Sequence, residues 1–290
     1  MKISEILKST SPGLSFEVFP PKKAGSFESV RGACEAIAAL KPSFVSVTYG
    51  AGGTTDAYTL ALAKAIKTDT GTEVLPHLTC VGASLPDIDR QLDAMTEHGF
   101  ENIMALRGDM REDIDKSAQA FSHADELVSH IRGKVGFCIG GACYPECHPE
   151  SESVAKDIEM LRRKADAGVD FLTTQMFFDN NLFFNFMYKL LGAGVNVPVL
   201  PGIMPVTRAK QLARINDLSQ AFLPRRFIAL VDRFGSDERA MKQAGIAYAT
   251  DQIIDLFANG INHVHVYTMN DPEVASAIMS NLSNIVNSEL

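Results

Sequence analysis

The strongest constraint on the fold is a regular alternation of apolar, strand-length stretches with amphipathic helical patterns. Up to the seventh stretch, successive starts lie about 26 to 35 residues apart, the length of one strand-plus-helix unit. Continuous apolar stretches are typical of parallel strands that are buried on both faces. The eight predicted strands are Leu14–Pro20, Phe44–Gly50, Glu73–Cys80, Asn102–Asp109, Phe137–Tyr144, Phe171–Phe178, Val197–Pro205 and His263–Asn270.

Glycine marks the helix exits between these strands. Gly99, Gly168, Gly194 and Gly260 each stand where a helical pattern ends and a strand follows, a position that favours the left-handed backbone. Eight such units predict an α/β fold of the (β/α)8 TIM barrel type, with a doubly wound open sheet as the alternative.

The interval between the last two predicted strands is longer than the others. It holds two helical patterns, Ala209–Leu218 and Glu238–Ala258, separated by Phe222–Phe227. No low-complexity linker interrupts the sequence. We therefore predict a single catalytic barrel domain over residues 1–290, with an extended final unit between strands seven and eight.

Composition places the chain among ordinary soluble globular proteins, with 46% hydrophobic and 21% charged residues. A net charge of −8 argues against a surface that binds nucleic acid. Five cysteines suit a reducing cytoplasm, and the sequence shows neither a signal peptide nor an apolar run of membrane-spanning length. The sequence thus predicts a cytoplasmic protein.

The fourth predicted strand ends in Arg107-Gly108-Asp109, where charge replaces an apolar run. Charged side chains have no place inside a strand that is buried on both faces. Two interpretations are equally open: Arg107 and Asp109 belong to a site at the strand end, or they pair with each other as a structural clamp. Because barrel active sites lie at the carboxyl ends of the strands, the other strand ends decide between them.

Alternation along the first strand places Glu17 on the face opposite Phe16 and Val18. The apolar face suits the surrounding helices, which leaves Glu17 in the barrel mouth. Since burial beside aromatic rings disfavours the charged form of a carboxyl group, Glu17 suits a general acid near neutral pH. The alternative is a salt bridge to Arg107 or to a lysine that only holds the barrel together.

Other strand ends also carry polar side chains at inward-facing positions. These are Thr48, His77, Gln175 and Tyr267. Gln175 offers one acceptor and two donors, which match the edge of an amide-like heterocycle. A lone inward histidine such as His77 is more often a satisfied core residue or a cofactor contact than a catalyst. His263 and His265 have no third ligand at a suitable spacing, so they are predicted to form a buried polar pair rather than a metal site.

Cys138, Cys143, Cys147 and His148 group around the end of the fifth strand. Their spacing is not that of paired zinc ligands, so the sequence favours a rigid, proline-bounded loop beside a cofactor, and no metal is predicted. The next helix carries Arg162-Arg163-Lys164, either a solvated helix face or a contact for a pyrophosphate group. Without a G-x-G-x-x-G motif, strand-end residues would have to hold any dinucleotide.

The strand ends form an ordered set of short motifs along nearly the whole chain. The segments are Phe16–Pro21, Val45–Gly50, Pro76–Cys80, Leu106–Asp109, Tyr144–Glu150, Thr174–Asp179, Pro201–Pro205 and Tyr267–Asn270. This ordered set resembles the methylenetetrahydrofolate reductase family, and it is far more specific than any single motif within it.

The resemblance implies a flavin-dependent barrel enzyme of one-carbon and methionine metabolism. It would reduce 5,10-methylenetetrahydrofolate to 5-methyltetrahydrofolate with NADH or NADPH, in ping-pong fashion through FAD. Glu17 would be the general acid that helps open the five-membered ring to an iminium cation, and the charge of Asp109 would favour that cation. FAD would be held by Thr48, His77, Arg107, Gly108, Asp109, Ala124, Tyr144, His148, Asp157, Arg163 and Lys164, the last two near its phosphates. The substrate side would comprise Glu17, Asp109, Gln175, Gln211 and Tyr267.

Two positions depart from the family pattern. Asp271 stands where family members carry a basic residue suited to the folate tail, which leaves tail recognition open or moves it to Arg208, Lys210 or Arg225. Ile215 stands where an aromatic residue would stack on a nicotinamide or a folate.

Two other functions stay open at this point. One is a folate-binding methyltransferase barrel without flavin, and the other is a reductase subunit that receives electrons from a partner protein. The apolar pattern over residues 183–188 suggests a homo-oligomer, with burial under Phe222–Phe234 as an equal alternative.

Overall fold

The predicted strands form the wall of a parallel barrel. The computed structural model describes residues 1–21, 23–49, 56–109, 117–134 and 136–286; Gly50 of the second predicted strand lies outside these ranges. The strands are β1 Gly13–Val18, β2 Val45–Val47, β3 Val74–Thr79, β4 Asn102–Leu106, β5 Cys138–Cys143, β6 Phe171–Thr174, β7 Val199–Leu200, β8 Gly202–Ile203 and β9 His263–Tyr267. They pair in parallel in the order β7-β6-β5-β4-β3-β2-β1-β9-β8, which confirms the (β/α)8 prediction.

The seventh predicted strand, Val197–Pro205, is shorter than expected and is divided at Pro201. Its first part, β7, pairs with β6, and its second part, β8, pairs with β9. Proline lacks the N–H group that a strand ladder requires, so the pairing changes partner at this residue. The two edges of the sheet are therefore consecutive pieces of one segment, and the sheet curls into a barrel.

Helices alternate with the strands and pack on the outside of the barrel, except for the first, short helix, which contributes Ile3 to the cluster inside it. They are α1 Ile3–Ile6, α2 Phe27–Ala38, α3 Asp56–Thr70, α4 Leu85–Glu97, α5 Ala124–Arg132, α6 Val154–Asp166, α7 Asn180–Gly192, α8 Gln211–Ser219, α9 Arg225–Phe234, α10 Glu238–Ala258, α11 Pro272–Asn281 and α12 Ser283–Val286. The four helix-exit glycines have φ angles between +68° and +108°, as their positions predict.

Apolar side chains form one cluster between the sheet and the surrounding helices and another inside the barrel. Outside the sheet, residues such as Val45, Leu78 and Ile139 pack against the helices. Inside, the amino-terminal ends of the strands carry a separate cluster, here called the apolar floor: Ile3, Phe44, Leu75, Met104, Cys138, Phe171 and Leu200. Ile3 of α1 joins this floor because its N–H group donates to the Asn102 side chain at 2.8 Å. Polar inward residues therefore cluster towards the opposite, carboxyl end.

The long interval before β9 holds a third helix, α9, which the sequence analysis missed. It begins after Pro224 and packs against α10. Phe227 of α9 stacks on Phe178 with 4.5 Å between ring centroids. Ile215 is buried in the same cluster at 2% exposure, so it is a core residue of this unit.

The apolar segment of α7 is mostly covered by the barrel itself. Phe183 and Phe186 are buried, and Phe183 stacks on Phe177 at 5.4 Å between centroids. Tyr188 and Leu191 are exposed by 75% and 66%. Packing within the chain thus accounts for much of the apolar pattern, and the homo-oligomer stays a prediction.

Candidate active site

A cavity of about 1100 Å³ opens at the carboxyl ends of the strands. Pockets for one small molecule usually measure about 300 to 1,000 Å³, so this space is large for a single ligand. The predicted site residues that line it are Glu17, Thr48, His77, Arg107, Gly108, Asp109, Ala124, Tyr144, His148, Asp157, Lys164, Gln175 and Tyr267. Two predicted residues, Arg163 and Gln211, lie elsewhere.

Glu17 lies in the cavity mouth and is 8% exposed, in agreement with the strand alternation. Its Oε2 atom is 3.7 Å from His77 Nε2, 3.8 Å from His265 Nε2 and 3.4 Å from the Ser46 hydroxyl. The parallel register explains one of these contacts, because Glu17 of β1 lies directly beside Ser46 of β2. Glu17 is therefore surrounded by groups that can donate hydrogen bonds, and it still faces the cavity.

His77 borders Glu17 and is itself buried. Burial lowers the pKa of His77 to about 4, although the neighbouring Glu17 acts in the opposite direction. Its Nε2 atom has no hydrogen-bond partner among the described residues. A buried ring nitrogen without a partner is costly, so His77 is not the satisfied core histidine that the sequence left open.

The lowered pKa of His77 predicts a fold that loses stability in acid. An unfolded histidine takes up its proton near pH 6.5, whereas folded His77 does so near pH 4. Stability is therefore fully present above about pH 6.5 and decreases as the pH falls towards 4, by about 3 kcal/mol in the free energy of unfolding. Urea unfolding of the wild type and of His77→Gln across this range measures the difference. We expect a smaller acid loss in the variant; equal losses in both proteins would contradict the assignment.

Arg107 serves as a clamp, but not with the partner that the sequence offered. It donates two hydrogen bonds to Glu150 on the loop after β5, at 2.5 and 2.8 Å, rather than pairing with Asp109 or Glu17.

Gly108 has a φ of +91°, and a Cβ there would lie 2.6 Å from Val81 Cγ1. Only glycine suits that position, and the backbone it allows carries Asp109 to the cavity wall.

Within the Arg162-Arg163-Lys164 run of α6, Lys164 alone lines the cavity, where Lys156 of the first helical turn also lies. The Lys164 Nζ atom donates to the Ala142 carbonyl at 2.6 Å, and burial lowers the pKa of the ammonium group. Arg163 instead lies on the exposed side and donates to Asp125 of α5 at 2.8 Å. Successive helical residues differ in direction by about 100°, so both could not point inward. Arg163 therefore reaches the cavity wall only through Asp125, and its place near the phosphates of a cofactor stays a prediction.

The loop after β5 is held by Asp157 and His148, as a rigid loop was predicted there. Asp157 in the first turn of α6 accepts a hydrogen bond from the His148 N–H group at 3.1 Å, and burial raises the pKa of Asp157. The His148 ring meets Tyr144 edge to face, with 4.6 Å between centroids. Its Nδ1 atom accepts a hydrogen bond from the Glu150 N–H group at 3.1 Å.

The cysteines near this loop face different regions. Cys138 belongs to the apolar floor and Cys143 to the core outside the sheet, while Cys147 is partly exposed. Within the residues that the structure describes, no group of three or more His, Cys, Asp or Glu side chains is arranged to hold a metal ion.

Two uncharged polar side chains, Gln175 and Tyr267, line the same cavity as Glu17 and Asp109. The Gln175 side-chain oxygen accepts from the Met176 N–H group at 3.0 Å, which fixes the amide at the end of β6. Burial raises the pKa of Tyr267 well above its usual value, and its hydroxyl donates to the Thr174 carbonyl. Both side chains are therefore neutral, which suits contacts to an uncharged ring system.

Gln211 lies apart from the cavity, contrary to its expected place on the substrate side. Its Oε1 atom accepts hydrogen bonds from the N–H groups of Thr207 and Arg208, at 2.9 and 2.8 Å. Gln211 thus anchors the loop between β8 and α8.

α4 contributes cavity residues that a search of strand ends does not find. Asp87, Arg90 and Gln91 line the cavity, and Arg90 pairs with Asp87. The start of this helix could be predicted from the sequence, because Ser84 is a typical capping residue followed by Pro86. In the structure, the Ser84 side chain accepts a hydrogen bond from the Asp87 N–H group. What the sequence does not show is that this helix start rises beside the barrel mouth.

Asp271 has a local structural role. Its side chain caps α11 by accepting from the N–H groups of Glu273 and Val274. Lys242 of α10 lies 3.0 Å from the Asp271 carboxylate. A lysine therefore stands directly beside the position that departs from the family pattern.

Comparison with known families supplies the observation that decides the relationship. The profile of the family described as "Methylenetetrahydrofolate reductase" matches residues 2–283. The chain belongs to the methylenetetrahydrofolate reductase family. The resemblance found at the strand ends is confirmed.

Relatives within the methylenetetrahydrofolate reductase family differ in length. "Methylenetetrahydrofolate reductase (NADH) 1" of Arabidopsis thaliana is 34% identical over 303 residues, which cover 100% of this chain and 51% of the relative. "5,10-methylenetetrahydrofolate reductase" of Escherichia coli K12 is 34% identical over 269 residues, covering 93% of this chain and 90% of the relative. The chain thus spans about half the length of the plant relative and most of the bacterial one.

Solved structures show the same fold at low sequence identity. A Clostridium thermocellum protein described as binding two copies of 5-methyl-5,6,7,8-tetrahydrofolic acid has a TM-score of 0.69 at 14% identity, covering 98% of this chain and 100% of the other. Dihydropteroate synthase from Xanthomonas albilineans has a TM-score of 0.53 at 13% identity, covering 96% of this chain and 94% of the other.

Among the described helices, none has both the length and the apolar character that a membrane crossing requires.

Proposed function

We propose that this protein reduces 5,10-methylenetetrahydrofolate to 5-methyltetrahydrofolate, with electrons that pass from NADH or NADPH through bound FAD in a ping-pong cycle. The observation that carries the proposal is a pair of carboxyl groups, Glu17 and Asp109, which separate strands bring to one cavity of a family member. Glu17 is buried and Asp109 is exposed, so the two carboxyl groups stand in different environments, as two different roles in one site require.

The residues around the cavity fit FAD. Lys164 has three N–H donors, and its one hydrogen bond to a described residue is to the Ala142 carbonyl, so donors remain for a phosphate group. His77 contributes an unpaired ring nitrogen, and Gly108 lets a ligand approach the backbone. The other residues proposed to hold FAD are Thr48, Arg107, Asp109, Ala124, Tyr144, His148 and Asp157. When bound, FAD would supply the hydride chemistry between nicotinamide and folate.

Different side chains of this cavity would donate the proton, stabilise the cation and bind the pterin ring of the folate. Glu17 gives its proton to the ring nitrogen that leaves when the five-membered ring opens: the carboxyl O–H bond breaks, an N–H bond forms, and an iminium cation results on the folate. The negative charge of Asp109 stabilises that cation. Gln175 offers hydrogen bonds to the edge of the pterin ring, and Tyr267 completes the same wall.

The proposal is tested first by cofactor uptake. Purified protein is expected to bind added FAD, to lose flavin absorbance on anaerobic mixing with NADH or NADPH, and to regain it with 5,10-methylenetetrahydrofolate. Lys164→Met should weaken FAD binding about 30-fold, because one charge-assisted hydrogen bond contributes about 2 kcal/mol.

Arg162→Met is the matched control for the lysine variant, since Arg162 lies on the same helix, is exposed, pairs with Asp166 and does not line the cavity. It should bind FAD as the wild type does. Protein that takes up no FAD would refute the proposal. Bound flavin that neither nucleotide reduces would instead favour a partner protein as the electron donor.

A further inference from the structure

A buried chain of polar groups lies beneath Glu17, and the reaction described above does not use it. The chain consists of Ser15, His265 and Ser46, which are 2%, 1% and 0% exposed. His265 Nδ1 lies 2.7 Å from the Ser15 hydroxyl, and His265 Nε2 lies 3.1 Å from the Ser46 hydroxyl. The Ser46 hydroxyl in turn lies 3.4 Å from Glu17 Oε2. Continuous hydrogen-bond contacts therefore lead from the barrel interior to the carboxyl group.

The barrel register builds this chain from three adjacent strands. Ser15 of β1 pairs in register with His265 of β9, and Glu17 of β1 with Ser46 of β2. Below it lies the apolar floor, whose Phe44 ring stacks on the His265 ring at 5.8 Å between centroids. Because apolar side chains close the lower side, the chain communicates with the cavity through Glu17.

Two more groups that titrate face this chain. His77 of β3 lies 3.7 Å from Glu17 Oε2, and its low pKa keeps it neutral near pH 7. Tyr267 of β9 meets the His265 ring edge to face at 5.5 Å, and its raised pKa keeps it protonated. Neither neighbour changes charge near neutral pH, so neither adds a change of charge beside Glu17 when its proton is transferred.

The chain can serve both states of Glu17 without a proton change at His265, because the Ser46 hydroxyl can turn and donate to either neighbour. With Glu17 protonated, its O–H group donates to Ser46, Ser46 donates to His265 Nε2, and His265 Nδ1–H donates to Ser15. The Ser15 hydroxyl then donates to the Val264 carbonyl, 3.4 Å away. With Glu17 ionised, the Ser46 hydroxyl turns to donate to the carboxylate, while His265 Nδ1–H still donates to Ser15 and Ser15 to the Val264 carbonyl. The two states differ by one proton, the one that Glu17 gives to the folate nitrogen.

We propose that Ser15, His265 and Ser46 form a reversible hydrogen-bond relay that holds the Glu17 carboxyl group at one position in both of its protonation states. The relay rests on the proposed function, in which Glu17 is the proton donor. Its members touch neither folate nor cofactor and act as positioning residues. A donor held in place on both sides of the proton transfer needs only a turn of the Ser46 hydroxyl when it reacts or recovers.

Ser15→Ala and His265→Gln test the relay through the folate half-reaction. Each should slow that half-reaction about tenfold or more and move the pH of half-maximal rate by about one unit, since the donor is then held in one state only. Ser15→Thr keeps the hydroxyl and should restore both quantities. Matched controls are His263→Gln, two residues along the same strand face and bonded to the Ser9 carbonyl, and Ser219→Ala, whose hydroxyl bonds within α8. Both controls should keep the wild-type pH profile.

A second measurement does not depend on activity or on bound cofactor. ¹⁵N NMR of histidine-labelled protein reports the protonation and hydrogen bonding of each ring nitrogen of His265, whose signals are identified by their loss in His265→Gln. In the wild type, we expect the Nε2 signal to shift in a single step as the pH is varied, because Nε2 loses the Ser46 hydrogen bond when Glu17 ionises, and the step to disappear in Glu17→Gln. A His265 Nε2 signal that stays the same at every pH, together with wild-type pH profiles in Ser15→Ala and His265→Gln, would overturn the relay. Wild-type protein that shows the step but reduces no folate would refute the proposed function and leave the relay supported.

Discussion

Glu17→Gln is expected to slow folate reduction about 10²- to 10⁴-fold, the range that one general acid contributes. Glutamine has nearly the same shape and can still accept from the Ser46 hydroxyl, but its amide group does not release a proton to a leaving nitrogen. Hydride transfer from a nicotinamide needs no proton from this carboxyl group, so flavin reduction by NADH or NADPH should continue. Rapid mixing of each half-reaction separately measures the contrast.

Glu146→Gln is the control for a general effect of replacing a partly buried carboxyl group near the mouth. Glu146 lies on the loop after β5, where burial raises its pKa and the Phe222 N–H group donates to it at 2.8 Å. It does not line the described cavity, so both of its half-reactions should stay close to wild type. Equal damage to both half-reactions in Glu17→Gln would show that Glu17 is not a folate-side acid.

The placement of Glu17 could be predicted because it depends on a short-range rule. Side chains of a strand alternate between its two faces, and the apolar Phe16 and Val18 must face the helices. The same rule places Thr48, His77 and Tyr267 in the cavity. Helix exits were predictable for a similar reason, since the left-handed backbone at Gly168 is a local requirement. Local rules therefore fixed which strand residues face the cavity.

Other parts of the site depend on contacts between distant segments. Nothing near Arg107 in the sequence shows that its partner is Glu150, which is 43 positions away. Whether Arg163 or Lys164 turns inward depends on how α6 is rotated about its own axis on the sheet. The spacing of apolar residues does not define this rotation precisely enough to distinguish two adjacent residues. α9 was missed because Pro224 resembles a linker residue, whereas in the structure it stands at the helix N-cap position.

Asp109→Asn is expected to weaken folate reduction about tenfold and to affect the nicotinamide half-reaction less. A carboxylate about 5 Å from a cation contributes about 3 kcal/mol at an effective dielectric constant of about 20, and water around the exposed Asp109 reduces this to between about 1 and 2 kcal/mol. Glu152→Gln removes another exposed carboxylate from the same cavity wall and should leave both half-reactions near wild type.

The salt dependence of folate reduction gives a further criterion, because dissolved ions screen the charge of an exposed carboxylate. Raising the ionic strength should therefore slow folate reduction in the wild type and narrow its advantage over Asp109→Asn. Normal folate turnover in Asp109→Asn, or a loss of the same size in Glu152→Gln, would mean that the iminium cation is stabilised by some other group.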